Sequence, residues 1–534
     1  MFAVVLAAAL AAFPQDLVLT NAMVHTGAST PFEGRIVVRD GRIASPDAEP
    51  PPGATTIDLH GAFVLPGLQD AHGHLLGLGT SLVEVNLVGT KSYDEVIERV
   101  AAAAANTKPG DWVFGRGWDQ NDWPDTAMPH HAELTAAVPE HPVWLVRIDG
   151  HAGLLNQRGL FLSGIRAGSE APAGGEILLD EHGEPTGVLV DAAMAAVPKH
   201  DPTFAEIQER LLRAQGECLR HGLTCVHDAG VTQGELEQLR LLHFEGKWRL
   251  RVYAMVAESE RELIRKGPWE SRDGLLTVRA VKGYADGALG SRGAELLEPY
   301  ADRPTSRGLQ GMPRAKLQEL AQRCADAGMQ LCVHAIGDRA NRNVLDAYAA
   351  VQVEGGLASR RFRIEHAQVV AAADVVRFRD LGVIPSMQPT HLTSDMPWAP
   401  DRLGPERVRL AYAWRSFLAI GVPVPFGSDF PVESVDPRKG LFAAVTTRAE
   451  QGGPAQGFRP DQKLTREEAI AGFTKHAAFA MFAEERLGTI EPGKIADLTV
   501  FDRDLRTCPE NELLEAKVVL TVVGGQVVHD ARGR

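Results

Sequence analysis

Residues 62–75 read AFVLPGLQDAHGHL, an apolar run that ends in Asp70, His72 and His74. The run is typical of a buried strand, with polar side chains at the place where the strand would end. Seven more short β-type runs follow along the chain: LTCVHDAG (223–230), RLRVYAMV (249–256), LTVRAVKGYADG (276–287), MQLCVHAIGD (329–338), RFRIEHAQ (361–368), GVIPSMQPTH (382–391) and VPVPFGSD (422–429). Eight strands are the number that closes a TIM barrel, provided that helices connect them.

Helical patterns lie between most of these runs. Clear examples are residues 204–222, 314–328 and 406–421, and each of them ends in glycine, as a helix C-cap should. Strands that alternate with helices predict parallel βα units. The middle of the chain is therefore predicted to be an α/β fold with a (β/α)₈ barrel.

The two ends of the chain differ from the middle. Residues 16–61 and 486–534 contain short runs of alternating apolar and polar residues separated by turn signals. Asp40-Gly41 is one such signal and predicts a hairpin. Two β-rich ends around a long helical middle predict one small β domain that is built from both termini.

The barrel itself is expected to occupy residues 62–485. About 150 residues separate its first two strand-like runs, far more than one crossover helix requires. Residues from about 82 to 200 are therefore predicted to be an insertion. An insertion after a barrel strand lies on the face that carries function, and we expect it to help cover that face.

Composition excludes several classes of protein. The chain has 534 residues, a net charge of −14 and no Lys/Arg cluster, which argues against nucleic-acid binding. Its five cysteines form no CxxC pair, which argues against a disulfide framework or a cysteine zinc site. Residues 1–13 resemble the core of a signal peptide and predict export to the periplasm or the medium; otherwise the protein is cytoplasmic. No other segment is expected to span a membrane.

Residues that can bind metal or transfer protons fall where the predicted strands end. His72 and His74 are two apart, so both rings can leave a strand on the same face. Neutral imidazole is a common ligand of zinc and related ions. The set consists of His72 and His74 in the first run, Lys282 in the fourth, His334 in the fifth, His366 in the sixth and Asp429 in the eighth.

Two of these residues have alternative interpretations. Lys282 lies in a strand-like run, and a barrel interior should not hold an unpaired ammonium group. Either a carboxylate such as Asp286 pairs with it, or CO₂ converts it into a carbamate that can bind metal. Asp429 could accept a proton from a metal-activated water and return it to a leaving amine, or it could cap a helix.

Seven motifs connect the sequence with a known family. They are LPGLQDAHGHL, VKGYADGALGSRGAELLEPY, VHAIGDRANR, RIEHAQ, QPTHLTSDMPWA, PFGSDFPVESVDP and LGTIEPGKIADLTVFD. Together they resemble the amidohydrolase superfamily, and within it the amidohydrolase-3 or YtcJ-like group. The resemblance extends over nearly the whole chain.

The resemblance implies a distorted TIM barrel beside a β-sandwich domain formed from both chain ends. It implies a metal-dependent hydrolase that acts on amide, formamide or cyclic-amide carbon–nitrogen bonds outside peptides. Lys282 would be carboxylated, and Asp429 would be both ligand and base. The implied ligands of one or two divalent ions, with zinc as the first expectation, are His72, His74, Lys282, His334, His366 and Asp429.

Five further residues match motif positions of the group and are candidates to line a substrate pocket. The alternative for each is structural, namely a loop hydrogen bond, an anchoring pair or packing. These candidates are His151, His391, Asp286, Arg292 and Trp118.

Other reactions could use the same site. Heterocycle deamination and ester hydrolysis also use metal-activated water, although deaminases of this superfamily typically lack a lysine ligand. A binding protein that only keeps the fold would be expected to lose ligands, and none is lost. The expected partner is a small-molecule substrate, and the sequence leaves a homo-oligomer open.

Overall fold

The computed structural model describes residues 16–532 except 149, 151, 173–174 and 199–201. The segment predicted as a signal peptide and the candidate His151 lie outside the described residues. Within the described residues, no helix is both long enough and apolar enough to cross a membrane. The chain folds into two compact units, one from the described parts of 1–75 and 214–534 and the other from those of 76–213.

The chain contains the following regular elements. The strands are β1 Leu17–Val24, β2 Phe32–Arg39, β3 Arg42–Ile43, β4 Thr55–Asp58, β5 Phe63–Pro66, β6 Leu68–Gly73, β7 Val85–Asn86, β8 Val113–Trp118, β9 Val143–Arg147, β10 Ala152–Leu155, β11 Gly175–Leu179, β12 Pro185–Asp191, β13 Leu223–Val231, β14 Arg251–Ala257, β15 Trp269–Glu270, β16 Leu276–Tyr284, β17 Gln330–Ala335, β18 Arg363–His366, β19 Ile384–Ser386, β20 Leu498–Phe501, β21 Val518–Val523 and β22 Gln526–Asp530. The helices are α1 Leu75–Val83, α2 Tyr93–Ala104, α3 His131–Ala137, α4 Gln157–Leu162, α5 Phe204–Arg220, α6 Gln233–Phe244, α7 Arg261–Lys266, α8 Arg314–Asp326, α9 Asp338–Ala349, α10 Ala372–Leu381, α11 Pro389–Asp395, α12 Ala399–Arg407, α13 Trp414–Ala419, α14 Pro437–Thr446, α15 Arg466–Gly472, α16 Lys475–Ala480 and α17 Glu512–Glu515.

A nearly closed sheet of parallel strands dominates the first unit. Its order is β19-β18-β17-β16-β14-β13-β6, and every neighbouring pair along this path is parallel. Helices connect most of these strands, as the sequence predicts. Strands such as β13 are buried along nearly their whole length, because a parallel barrel covers both faces of its sheet.

The eighth predicted run closes the gap between β19 and β6 without forming a regular strand. Met387 and Phe426 form an isolated parallel bridge on one side. On the other side, the backbone N–H of Ala71 donates to the carbonyl of Phe426 at 2.9 Å. Pro423 and Pro425 have no N–H, so this segment cannot complete two ladders of hydrogen bonds. The first unit is a mixed α/β fold. Its barrel is nearly closed, because the eighth segment fills the gap without forming a regular strand.

Both ends of the chain contribute to a second sheet of eight strands. The order is β22-β21-β20-β5-β1-β2-β3, with β4 paired to β1. The predicted Asp40-Gly41 hairpin joins β2 and β3, and both of its residues have positive φ, 50° and 74°. The β-sandwich arrangement that the resemblance implies stays a prediction.

The second unit has its own sheet and core. Its six strands have the order β11-β12-β10-β9-β8-β7. Trp118 is 1% exposed and belongs to the apolar core of this unit, together with Trp123 and Leu134. The Trp118 indole N–H donates to the carbonyl of Leu145 at 2.8 Å. This environment favours a packing role for Trp118 over the predicted contact with substrate.

A buried ion pair links barrel strand β14 to the segment before β20. The Arg251 guanidinium contacts both carboxylate oxygens of Asp497, with Nε–Oδ2 at 2.9 Å and Nη2–Oδ1 at 3.1 Å. Arg251 Nη1 also donates to the carbonyl of Gly274 at 2.6 Å, and both charged side chains are almost fully buried. The pair therefore links the barrel to the sheet that both chain ends form, within the first unit.

We expect Asp497→Ala to lower the free energy of unfolding by about 3–5 kcal/mol, because it leaves the Arg251 charge buried and unpaired. Urea denaturation of the variant and the wild type measures the change. Glu262→Ala is a matched control, since its ion pair with Arg265 is exposed, and it should leave stability unchanged. Equal stability of Asp497→Ala and wild type would contradict the role of this pair.

Candidate functional site

The carboxyl ends of the parallel strands bring the predicted polar residues together. In the strand register, Tyr284 is opposite His334 and Ala335 is opposite His366. Lys282 lies two residues before Tyr284, the last residue of β16, so three adjacent strands each supply one candidate within two residues of their carboxyl ends.

His72 and His74 point toward one carboxylate. His74 Nε2 lies 3.0 Å from Asp429 Oδ1, and His72 Nε2 lies 3.5 Å from the same oxygen. The other ring nitrogen of His74 donates to the carbonyl of Ala229 at 2.8 Å. One ligand atom each from His72, His74 and Asp429 therefore lie within 4.8 Å of one another, close enough to share a cation.

A backbone hydrogen bond to β6 holds Asp429 in position. Its N–H donates to the carbonyl of His72 at 2.7 Å, and its φ is 63°. Gly427 allows this close approach, because a Cβ there would lie 2.5 Å from the backbone N of His72. Asp429 does not cap a helix, since the N-cap of α14 is Asp436. Of the two interpretations of Asp429, the structure favours the one in which its carboxylate belongs to the site.

Lys282 is fully enclosed in this cluster. It is 1% exposed, and its Nζ lies 3.0 Å from His72 Nε2. The predicted alternative is an ion pair with Asp286, but the Asp286 carboxylate accepts hydrogen bonds from the backbone N–H groups of Ile336 and Gly337 instead. No carboxylate among the described residues lies within ion-pair distance of Lys282.

His366 and His391 form the other side of the cluster. The His366 ring centroid lies 5.0 Å from that of His72 and 5.7 Å from that of His391. His391, which lies in α11, has Nε2 3.5 Å from Asp429 Oδ2 and Nδ1 3.2 Å from Glu433 Oε1. Carboxylates therefore face both ring nitrogens of His391.

His334 provides the test of whether a metal suits these residues. Its ring centroid lies 4.5 Å from that of His366, and its buried Nε2 makes no hydrogen bond within the described part of the chain. Asp286 Oδ1 lies 3.5 Å from this nitrogen without forming a hydrogen bond. A buried nitrogen without a hydrogen bond is costly unless a ligand satisfies it. Imidazole nitrogens with a carboxylate are donors that suit zinc and similar divalent ions. The residues present therefore fit a divalent metal.

Burial sets the protonation of the cluster. Burial and the nearby charge of Lys282 lower the pKa of His72 to about 4 and that of His334 to about 3, so both rings are neutral near pH 7. Burial also lowers the pKa of Lys282. Burial opposes ionisation of Asp429, but hydrogen bonds from His391 and His74 hold its pKa well below the usual range. The site thus contains neutral nitrogen donors at His72 and His334 beside one carboxylate, whereas at His74 the hydrogen bond to Asp429 and its negative charge together outweigh burial and raise the pKa.

His391 differs from these rings in its charge. Burial disfavours its charged form, yet Asp429 and Glu433 raise its pKa to about 10. In the absence of a cation, the His391 ring therefore carries positive charge between two carboxylates.

Two buried charges beside the site were not among the sequence candidates. Glu365 Oε2 accepts a hydrogen bond from His72 Nδ1 at 2.5 Å, and the Arg363 guanidinium pairs with the same carboxylate at 2.7 Å. Arg363 Nη2 also donates to the carbonyl of Ala71 at 2.6 Å. Both side chains are fully buried. Glu365 therefore fixes the orientation of the His72 ring through the hydrogen bond at Nδ1, which makes Glu365 a positioning residue.

Asp286 and Arg292 anchor the loop that follows β16. The Asp286 carboxylate also accepts the N–H of Glu295 at 2.8 Å, and burial raises its pKa to about 7. Arg292 Nη2 lies 2.7 Å from Asp302 Oδ2, an oxygen that Arg402 also contacts. Both residues therefore anchor the loop, but through separate partners and not as a pair with each other. Their contact with substrate stays a prediction.

Comparison with known proteins supplies independent information. Residues 55–529 match the model of the Amidohydrolase family. A putative amidohydrolase YtcJ from Bacillus subtilis is 33% identical, over 90% of this chain and 91% of the relative. An N-substituted formamide deformylase from Arthrobacter pascens is 30% identical, over 97% of this chain and 99% of the relative. The crystal structure of an uncharacterized metal-dependent hydrolase from Pyrococcus horikoshii is similar with a TM-score of 0.77 and 28% identity, over 93% of this chain and 99% of that one.

Proposed function

Because the chain is a hydrolase of the amidohydrolase family, we propose that it cleaves carbon–nitrogen bonds outside peptides with the help of a divalent metal. The observation that carries the proposal is the convergence of His72, His74 and His366 on Asp429 at the carboxyl ends of parallel strands. Chemistry in a TIM-type barrel takes place at this end.

The metal would be held by the residues whose donor atoms face the cluster. We expect zinc, in one or two ions per chain, because imidazole and carboxylate donors suit it. When bound, such an ion lowers the pKa of a water molecule and polarises the scissile carbonyl. The proposed ligands are His72, His74, Lys282, His334, His366 and Asp429.

Lys282 would act as a ligand after carboxylation. Burial favours its uncharged amine, and no carboxylate among the described residues pairs with it. Attack of that amine on CO₂ forms an N–C bond and releases one proton, which gives an anionic carbamate. The anionic carbamate would be an oxygen ligand, and the bound cation would be its counter-ion in the buried site.

Asp429 would move the proton of the reaction. Its pKa well below the usual range keeps it ionised and makes it a weak base, so it would accept a proton only from a water that a bound ion makes more acidic, and would return that proton to the leaving amine. The other side chains bind and orient. Glu365 fixes the orientation of His72, and Gln388 fixes that of His366 through a 2.8 Å hydrogen bond to Nδ1.

The proposed substrates are simple amides, N-substituted formamides and cyclic amides. The formamide class is supported by the deformylase relative, which aligns over almost the whole chain. The test is release of amine from a panel of these compounds by zinc-loaded protein, before and after removal of metal with a chelator. Metal-dependent release supports the proposal. Ammonia release from heterocycles, or ester cleavage without amide cleavage, would overturn the proposed substrate class.

We expect Lys282→Ala to lower the metal content from near two ions per chain to one or none, because the variant would lack the carbamate that is proposed as a ligand. Mass spectrometry of metals after gel filtration measures the content. Lys247→Ala is a matched control, since Lys247 is 57% exposed and pairs with nearby Glu245. Equal metal content in Lys282→Ala and wild type would remove Lys282 from the ligand set.

A further inference from the structure

Four imidazoles in the cluster are oriented in the same way. In each ring Nδ1 faces a fixed oxygen that accepts a hydrogen bond, so Nε2 is the nitrogen directed to the centre. The pairs are His72 with Glu365 at 2.5 Å, His74 with the carbonyl of Ala229 at 2.8 Å, His366 with Gln388 at 2.8 Å and His391 with Glu433 at 3.2 Å. His391 therefore has the arrangement that protein metal ligands have, although the family resemblance gives no ligand role to it.

The ligand atoms divide into two groups around one carboxylate. One group consists of His72, His74 and Asp429, and the other consists of His366, His391 and Asp429. In each group the three ligand atoms lie within 4.8 Å of one another. Asp429 presents Oδ1 to His74 and Oδ2 to His391, so one of its oxygens faces each group.

We propose that His391 is a metal ligand, and that its Nε2 binds a second divalent cation together with His366 and Asp429. This inference rests on the proposed function, because it assumes that the cluster binds metal. It adds a seventh protein ligand to the proposed six. Neutral imidazole with carboxylate selects zinc, cobalt or a similar ion over magnesium or calcium.

The position of His391 supports a ligand role. It lies in α11, the helix that begins at Pro389 directly after the barrel segment with Gln388, so the backbone places His391 beside His366. Its side chain is 12% exposed. Glu433 and Asp429 flank the ring, and a cation bound at Nε2 would take the place of the proton that the ring carries there when no cation is present.

The test measures stepwise metal binding by the apo-protein. Zinc and Co²⁺ are titrated into wild type, His391→Asn and Glu433→Gln in the presence of a competing chelator. His243→Asn is the matched control. His243 lies in α6, outside the cluster, and pairs with Asp273. Circular dichroism of the apo-proteins checks that each variant is folded.

We expect wild type to bind two ions and His391→Asn to lose affinity for the second ion by more than about 100-fold, with the first ion unchanged. Glu433→Gln keeps the His391 ring but weakens the hydrogen bond to its Nδ1, so the affinity for the second ion should fall by about 10–100-fold. The visible spectrum of the second Co²⁺ equivalent should change in both variants and stay unchanged in His243→Asn.

Each contrary outcome has a distinct meaning. Two ions bound by His391→Asn and Glu433→Gln with wild-type affinity and spectrum would overturn the ligand role and leave the proposed function intact. A single ion in wild type would overturn the second cation position. Absence of any metal in wild type would overturn both the proposed function and this inference.

Discussion

Asp429→Asn should lower kcat by about 10²–10⁴-fold, because the amide has the shape of the carboxylate but cannot accept a proton. The wild-type carboxylate contacts His74 at 3.0 Å and lies 3.5 Å from His391, so the variant removes one negative charge from the middle of the cluster. Steady-state kinetics on an amide from the substrate panel measures the change. Metal content is measured on the same samples, so that loss of the base is separated from loss of the ion.

The control for this prediction is another Asp→Asn substitution. Asp461 is 58% exposed and pairs with Arg459, away from the strand ends. Asp461→Asn should keep the wild-type kcat. If Asp429→Asn binds the wild-type amount of metal and also keeps the wild-type kcat, Asp429 is not the proton acceptor.

The sequence predicts the strands of the barrel better than its closure. Seven of the eight runs form parallel strands, because a short apolar run bounded by turn residues is typical of a buried strand. The eighth contributes only a bridge, since two prolines remove its hydrogen-bond donors. That outcome could have been predicted from VPVPFGSD.

Helix prediction shows a similar limit. Residues 204–222 and 314–328 contain α5 and α8, as expected, whereas 406–421 contains the last two residues of α12, a 3₁₀ turn at Val408–Leu410 and the short α13. Tyr412 has a φ of 56°, which interrupts the helix before Trp414. The apolar spacing of this segment gives no sign of that break, because side-chain periodicity does not report backbone angles.

The candidate site was predicted through residue type and position at strand ends. The partners that orient the rings were not, because they are distant in sequence, as Glu365 is from His72. Gln388 and Glu433 lie within two of the motifs quoted above, but residue type and spacing do not show which ring each of them contacts. Arg363 and Glu365 did carry one: they are two apart in a short strand and therefore share a face. Two opposite charges on one face of a buried strand predict an ion pair behind the site.

The second large effect that we expect comes from breaking the ion pair between Arg363 and Glu365. Glu365→Leu should lower the free energy of unfolding by about 3–5 kcal/mol, because Arg363 keeps a fully buried charge without a counter-ion. The same variant should weaken metal binding by about 10–100-fold, because His72 Nδ1 loses the acceptor that orients the ring. Urea denaturation of the apo-protein and chelator competition measure the two effects separately.

The double variant Arg363→Met/Glu365→Leu separates the two roles of Glu365. Removing both charges should restore much of the stability, since an apolar pair often replaces a buried ion pair without loss. Metal affinity should stay low, because His72 still lacks its acceptor. If metal affinity recovers together with stability, Glu365 contributes only to folding and does not position His72. If the single variant is as stable as wild type, the Arg363 charge is compensated by its remaining contacts, which are the carbonyl of Ala71, Ser386 and His227.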